Sequence, residues 1–479
     1  MTSTARRRRR AARGDPLARA EIGARGGLRA GRREWLAGVA AAGATLALPG
    51  CGVDEPVAAA APSARFRWGV GIENTWMVQA DPALDGRRRA LDELALTGHY
   101  ERWRYDLELV AGLGVSLVRY GHPWASLEPA PGVYDWSSLD APIDRLVALG
   151  LEPVLDLLHY GAPAWMRMGI GDPRFEEAFA SFAEAAARHF RGRVREFTVC
   201  NEPQVSAAFS GSLGVWPPYG RSLSEWARLG ARIARAMVMA TRAIRSVSPA
   251  AAIVSVDPVN WLLADALISA LPVDPAALEA LRVDAGSFPA CLAYGDIGAG
   301  HALWSRLVEL GVEPSALEWL HAHGAPPDIV GYNHYPDLAR PLGTDFTRGG
   351  VIPLDEGARD AVEQVEAALR RVHGRHGRPI LLTETSAGLT GDARAAYARA
   401  LGAMAERMLG EGLPLRGIVW WPLVQAAQWA YRELPDTPLA EFLTPGGWNN
   451  ALYDLGPGLE RVPTPAVQAL RETVARPQQ

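Results

Sequence analysis

From Phe66 onward the chain repeats one pattern eight times: a short β-rich run, a turn, then an amphipathic helical stretch. The candidate strands are Phe66–Glu73, Ser116–Tyr120, Pro153–His159, Glu196–Asn201, Ala252–Asp257, Ile329–Tyr335, Ile380–Thr385 and Gly417–Leu423. Several are almost wholly apolar, such as Ile380-Leu381-Leu382, as expected of parallel strands buried on both faces. Helical stretches include Tyr100–Leu113, Phe175–Phe190, Ser222–Val247, Ala358–His376 and Ala393–Leu409. Eight such units predict an α/β fold, a (β/α)8 TIM barrel with extended loops, as one domain over residues 65–479. The competing open, doubly wound sheet lacks its GxGxxG after the first strand. Residues 260–326 do not resolve into elements by pattern.

Composition then excludes whole classes of chemistry. The chain contains no lysine, so all 49 basic residues are arginine. Schiff-base aldolases, pyridoxal-phosphate enzymes and P-loop NTPases all need a lysine amine and are excluded. Three cysteines (Cys51, Cys200, Cys291) form neither a disulfide framework nor a zinc motif. Residues 1–50 carry 11 arginines against 3 acidic residues, a net +8, and the remainder 38 against 50, a net −12. An acidic body offers no basic face to a nucleic acid.

The first fifty residues read as an address. Arginine-rich up to Arg33, they continue into an uncharged run from Trp35 to Gly50, shorter than a spanning helix needs. Arg32-Arg33-Glu34-Trp35-Leu36 resembles a twin-arginine export motif, and Leu48-Pro49-Gly50-Cys51 a lipoprotein cleavage box. The expectation is a signal peptide over 1–50 and lipidation at Cys51. A flexible tether over 51–64 would follow, with an exported, periplasmic or extracellular location. Any membrane association would run through that lipid alone.

Catalytic groups in a TIM barrel sit at the C-terminal ends of its strands. Here those ends read Glu73-Asn74, Arg119-Tyr120, His159-Tyr160, Asn201-Glu202, Asp257, Asn333-His334-Tyr335, Glu384 and Trp420-Trp421, and all eight are expected to face one cleft. Glu202 follows strand 4 and Glu384 ends strand 7, on opposite sides of the barrel. Two converging carboxyls suit a retaining glycosidase: one protonated to serve the leaving oxygen, one ionised to attack, roughly 5–5.5 Å apart. The charge of the second would raise the affinity of the first for its proton.

With those residues in view, the body resembles glycoside hydrolase clan A, and most of all glycoside hydrolase family 1, which includes β-glucosidases and β-galactosidases. The likeness runs in order over nearly all of residues 66–465. It is carried by Phe66-Arg67-Trp68-Gly69, the stretch from His99 through Arg119 to Trp136, and Leu158-His159-Tyr160-Gly161-Ala162-Pro163. It continues through Asn201-Glu202-Pro203, Gly331-Tyr332-Asn333-His334-Tyr335, Thr383-Glu384-Thr385 and the pair Trp421 and Trp429. The resemblance implies Glu202 as acid/base and Glu384 as nucleophile. Arg119 would hold Glu384 ionised and Tyr335 would hydrogen-bond it. Asn201 would bind the sugar 2-hydroxyl, His159 another hydroxyl, and Asn333 would line the site. Trp421 would stack on the sugar, and Trp429 would line the same subsite.

The departures bear on specificity. Gln428 stands where the family has a glutamate gripping the sugar's distal hydroxyls, preceded by Gln425-Ala426-Ala427. A neutral amide anchors a neutral sugar less strongly and repels an anionic one less. Glu73 stands near the family's first-strand glutamine and could take its hydroxyl-binding role, and Thr385 replaces an asparagine.

Other features carry blander readings. Trp124 is a weaker site candidate than Trp421 or Trp429, and His321 and His323 read as solvent-exposed rather than as metal ligands. Cys200 would point into packing if Glu202 points into the cleft, and Asp257 could line the cleft or cap the next helix. The function expected is thus a cofactor-free, metal-free retaining β-glycoside hydrolase acting on a β-linked saccharide or glycoside. The alternatives are a transglycosylase on the same site, a catalytically silent carbohydrate-binding lipoprotein, and an unrelated barrel hydrolase.

Overall fold

A computed structural model of the chain describes residues 65–73, 75–77, 86, 88–258, 261–272, 274–336, 358–387, 390–443 and 450–476. The expected signal at 1–50, the tether at 51–64 with Cys51, and Asn74 lie outside the described residues. The chain divides after Val57, and every described residue belongs to the unit Ala58–Gln479.

Eight parallel strands form the centre: β1 (Arg67–Ile72), β2 (Leu117–Tyr120), β3 (Glu152–Asp156), β4 (Glu196–Thr198), β5 (Ala252–Val254), β6 (Val330–Asn333), β7 (Ile380–Thr385) and β8 (Leu415–Trp420). They are hydrogen-bonded in the order β5-β4-β3-β2-β1-β8-β7-β6. A parallel bridge between Val254 and Ile329 brings β5 to β6, so the sheet closes as the TIM barrel predicted. Gly331 sits at this seam, where a Cβ would fall 1.8 Å from the Ser255 carbonyl oxygen. No larger residue allows that approach.

Around the strands lie α1 (His99–Ala111), α2 (Ser137–Ala148), α3 (Phe175–His189), α4 (Leu223–Val247), α5 (Ala358–His376), α6 (Gly391–Gly410) and α7 (Pro465–Val474). α3 illustrates why these segments are helices against a barrel. Phe175, Phe179, Phe182, Ala183 and Ala186 form one buried stripe at helical spacing, with Glu176 and Glu177 in the first turn and Arg188 and His189 in the last. The described residues of the segment 260–326 include five short helices of 7 to 10 residues, too short for a periodic pattern to stand out in the sequence.

The barrel interior is layered by the two-residue alternation of its strands. At the floor Arg67 pairs with Glu152 at 2.7 Å and Glu196 at 2.9 Å. Above it Leu117, Val154 and Val419 pack together, as do Val254, Ile329 and Leu381. Two residues further along, the same inward faces present Arg119, Asp156, Thr198 and Thr383, so the polar site sits on an apolar plug.

Candidate active site

That alternation also corrects the expectation that every strand-end side chain faces the cleft. Arg119 points inward, but Tyr120 points outward and its hydroxyl meets His99 Nε2 at 2.9 Å. His334 stacks on Tyr332 with ring centroids 5.9 Å apart, and Trp420 donates from Nε1 to Asn450 O at 3.0 Å. Asn333, Tyr335 and Trp421 take the inward positions between them. Thr385 points outward as well, donating to His334 O at 2.7 Å and meeting the Tyr397 hydroxyl at 2.7 Å. The threonine in place of an asparagine therefore leaves the cleft itself unaltered.

Glu384 breaks the alternation. Leu381 and Thr383 face inward, so the next residue in a regular strand would face the helices. The registers of β7 with both neighbours slip here, Ile418 pairing with Leu382 but Trp420 with Thr385, and Tyr332 with Leu382 but Asn333 with Glu384. The irregularity turns two consecutive residues inward, a common use of β-bulges beside active sites. Thr383 Oγ1 donates to Asn333 Oδ1 at 2.7 Å, and Glu384 reaches Arg119 and accepts from the Tyr335 hydroxyl at 2.8 Å.

Arg119 is the fully buried centre of this network. Its Nη1 bonds Glu384 Oε1 and lies 3.2 Å from Glu73 Oε1. Its Nη2 donates to Asp156 Oδ1 at 2.9 Å and Asn201 Oδ1 at 2.8 Å, and its Nε to Thr198 Oγ1 at 3.3 Å. Burial alone would raise Asp156, but Arg119 and the bond from His159 outweigh it and hold its carboxyl at about 2. Glu73 goes the other way. Burial drives it well above the usual carboxylate range, against the pull of Arg119 and with Glu384 and Asp156 adding to the rise. Glu73 is therefore inside the network, as part of the ion cluster on Arg119.

Glu202 stands at the end of β4. Its amide donates to Val256 O at 2.8 Å, and Pro203 then begins the helix Pro203–Gly211 at the first position, where proline is best tolerated. Glu202 Oε1 accepts from Asn333 Nδ2 at 2.9 Å, and Oε2 accepts from the Tyr160 hydroxyl. Burial first, and the charge of Glu384 second, lift its carboxyl to about 7. A bonded path thus runs from Glu202 through Asn333, Asn201 and Arg119 to Glu384, with Asn333 Nδ2 3.4 Å from Asn201 Oδ1. Asp257 is buried at the end of β5, and burial with nearby Glu202 pushes it well up. It also faces the Gln204 amide in the first turn of the helix Pro203–Gly211. Cys200 is buried in the core cluster, although strict alternation would put it on the same face as Glu202; the strand ends at Thr198, so the alternation does not carry through Cys200-Asn201-Glu202.

His159 is held between Asp156 Oδ2 at 2.7 Å and Asn201 Nδ2 at 3.2 Å. Trp421 packs edge-on to Tyr335 with centroids 6.1 Å apart. Trp429 joins Tyr160, Phe209 and Trp216 in an aromatic wall, with centroid separations of 5.5, 5.8 and 5.7 Å. Gln428, beside Trp429, is tied in through its backbone N–H to Phe442 O at 3.1 Å. Gln425 is structural, bridging Leu443 O at 2.6 Å and Leu455 N at 3.1 Å. Trp124 is not in the site: it stacks on Phe182 of α3 at 5.4 Å and donates to Glu128 at 2.6 Å. His321 Nδ1 lies 2.7 Å from Gly295 O, and His323 stacks on Trp319. Among the described residues no group of three or more His, Cys, Asp or Glu side chains could hold a metal ion.

Sequence reasoning missed Asp156 and Trp216, and placed Tyr160 at a strand end without its bond to Glu202. Asp156 had a signal, a lone charge in the apolar run Val154–Leu158. Trp216 lies in a loop where no periodicity reports direction.

The chain is similar to known glycosidases in sequence and in fold. Residues 81–280 match the model of glycosyl hydrolase family 1, a stretch that contains Arg119, His159, Asn201 and Glu202 but not Glu384. "Beta-glucosidase 47" of Arabidopsis thaliana is 31% identical over 128 residues, 25% of this chain and 24% of the relative. "Probable inactive beta-glucosidase 14" of Oryza sativa subsp. japonica is 31% identical over 128 residues, 25% of this chain and 25% of the relative. The chain thus spans about a quarter of the length of these curated relatives. Among solved structures, the β-glucosidase from Thermotoga maritima in complex with azafagomine superposes with a TM-score of 0.65 at 18% identity. That superposition covers 85% of this chain and 97% of that one, which establishes the shared fold.

Proposed function

Since the chain is a divergent member of glycosyl hydrolase family 1, we propose that it is a retaining β-glycoside hydrolase acting on a β-linked saccharide or glycoside. The observation that carries this reading is the contrast between its two linked carboxyls. Glu384 is set against the Arg119 guanidinium, while Glu202 is lifted to about 7 and so keeps a proton into the neutral range.

In the first step a Glu384 oxygen attacks the anomeric carbon while the bond to the leaving oxygen breaks, and Glu202 gives that oxygen its proton. Glu202, now ionised, takes a proton from water, whose oxygen attacks the anomeric carbon and returns Glu384 as a carboxylate. Asn201 and His159 hold sugar hydroxyls, Trp421 supplies the stacking face, and Gln428 with Trp429 lines the far end of the sugar. Gln428 in place of a carboxylate argues against a strict glucose preference.

The test is release of aryl aglycones from β-gluco-, galacto-, fuco-, xylo-, manno- and glucuronosides by the protein from Gly52 onward, with proton NMR reading the first anomer formed. Release that is lost in Glu384→Gln, with the β-anomer appearing first, is the expected result. An α-anomer appearing first defeats the retaining mechanism. Silence on the whole panel, with tight binding of an oligosaccharide, favours the silent binding protein instead. We further propose that residues 1–50 export the chain and that Cys51 is lipidated, on the motif evidence of the sequence.

A further inference from the structure

The acid/base carboxyl is gripped by two donors of different kinds. Asn333 Oδ1 accepts from Thr383 Oγ1 at 2.7 Å, which orients its Nδ2 toward Glu202 Oε1 at 2.9 Å. An amide nitrogen can only donate, and the hydroxyl oxygen of a carboxylic acid is the poorer acceptor, so that bond favours Oε1 as the carbonyl oxygen and Oε2 as the protonated one. Oε2 faces the Tyr160 hydroxyl, which can donate to a carboxylate or accept from a carboxylic acid. Both ends of this second contact have unusual backbones: Tyr160 has φ 80° and Glu202 φ 41°, in the left-handed region that residues other than glycine seldom occupy. The Tyr160 ring is wedged against Trp216, with centroids 5.0 Å apart, and Trp429, which leaves its hydroxyl little freedom.

We propose that Tyr160 is the positioning residue of Glu202, fixing Oε2 as the oxygen that gives up and recovers the catalytic proton. This rests on the hydrolase reading above and deepens it. Tyr160 donates to Oε2 when Glu202 is ionised; in the free protonated enzyme it accepts the Oε2 proton until the leaving oxygen of a bound glycoside takes that proton over. Burial, and then the charge of Glu202, keep the phenol itself protonated. Besides Tyr160, the groups facing Glu202 are Glu384 on β7, His159 after β3, Asp257 after β5, Asn333 on β6 and Tyr335 beyond it. Among those on neighbouring elements, only Tyr160 and Asn333 hydrogen-bond its carboxylate, so loss of the phenol is felt directly by the ionised form.

Tyr160→Phe keeps the ring and removes the hydroxyl. Losing a bond to the ionised form raises the proton affinity of Glu202. The alkaline limb of kcat/KM on an aryl glycoside is expected to move up by about one pH unit. The same shift is expected in the Glu202 carboxyl titration followed by carbon-13 NMR, assigned by its loss in Glu202→Gln. Incorporating a ring-fluorinated tyrosine at position 160, a stronger donor, is expected to move both downward. That variant keeps the hydroxyl, and so serves if the phenylalanine variant does not fold. An unmoved Glu202 titration in a folded variant overturns the inference. Because the NMR titration needs no turnover, a wild type silent on every glycoside would defeat the hydrolase reading while still deciding this one.

Discussion

Arg119 and Glu384 meet inside the barrel although they lie 265 residues apart in the chain and on different strands. The arginine reaches its partner by simple alternation, and the glutamate only because β7 slips its register at that point. The same guanidinium also holds Asp156 and Glu73, so three carboxyls share one cation. The interaction that orients the proposed nucleophile is therefore also a structural fastener of the strand ends.

Replacing Arg119 accordingly affects both properties. Arg119→Met is expected to destabilise the fold by about 3–5 kcal/mol, because removing one partner strands buried carboxyls. Urea unfolding followed by far-UV circular dichroism measures this. Arg119→Lys restores a charge but not the planar fork that serves several acceptors, so its kcat on an aryl glycoside stays well below wild type. Full activity in the lysine variant would show that charge alone suffices.

The pH profile follows from Glu202. The first step needs its protonated form, and its carboxyl is lifted to about 7. Rising pH ionises it, so kcat/KM falls with an alkaline limb near pH 7. Glu202→Gln removes that limb. It lowers the rate on poor leaving groups by about 10²–10⁴-fold, and far less on aryl leaving groups that depart without a proton. An equal loss on both would argue against Glu202 as the acid.

Glu93 lies away from the proposed catalytic pair and bears on stability. Its buried carboxyl accepts from the Ala427 amide at 2.8 Å, and burial lifts it from an ordinary 4.5 to about 8. The folded form binds the proton more tightly than the unfolded one. Its contribution is complete below about pH 4.5 and is lost as pH rises toward 8. Glu93→Gln keeps an acceptor for the amide and nothing to ionise. It is expected to match wild type near pH 4.5 and exceed it at pH 7 by up to about 3 kcal/mol. A thermal-melt series across pH 4 to 9 reads the difference. Parallel curves for the two proteins would contradict the assignment.

The two tryptophan readings separate cleanly. Trp124→Ala empties a core position against α3 and is expected to cost about 3–5 kcal/mol with KM little changed. Trp421→Ala is expected to raise KM for an aryl glycoside by about tenfold through loss of the stacking face, with a smaller loss of stability. Denaturant titration beside steady-state kinetics distinguishes them, and a KM effect of Trp124→Ala would return that residue to the site.

The lipidation proposal has its own readout. Mass spectrometry of the mature protein from an exporting bacterial host is expected to show a diacylglycerol-bearing N-terminal Cys51. Cys51→Ser is expected to abolish the modification and release the protein from membranes. A mature N-terminus elsewhere would remove the lipoprotein reading.

The barrel was legible in the chain, because eight apolar runs alternating with amphipathic stretches leave one economical way to bury every strand face. The sequence also singled out Glu202, Glu384, Arg119, His159, Asn201, Asn333, Tyr335 and Trp421 as candidates, and the structure brings these side chains together. The remaining features arose from contacts between distant segments. Which of two adjacent residues faces inward depends on register, so Tyr120 and His334 went to the helices and a slip in β7 brought Glu384 back. Glu73 joined the Arg119 cluster only when β1 lay beside β2. Tyr160 met Glu202 through two left-handed backbone positions that no periodicity records. Side-chain direction at irregular positions is set by neighbouring strands and loops, and those neighbours are distant in the chain.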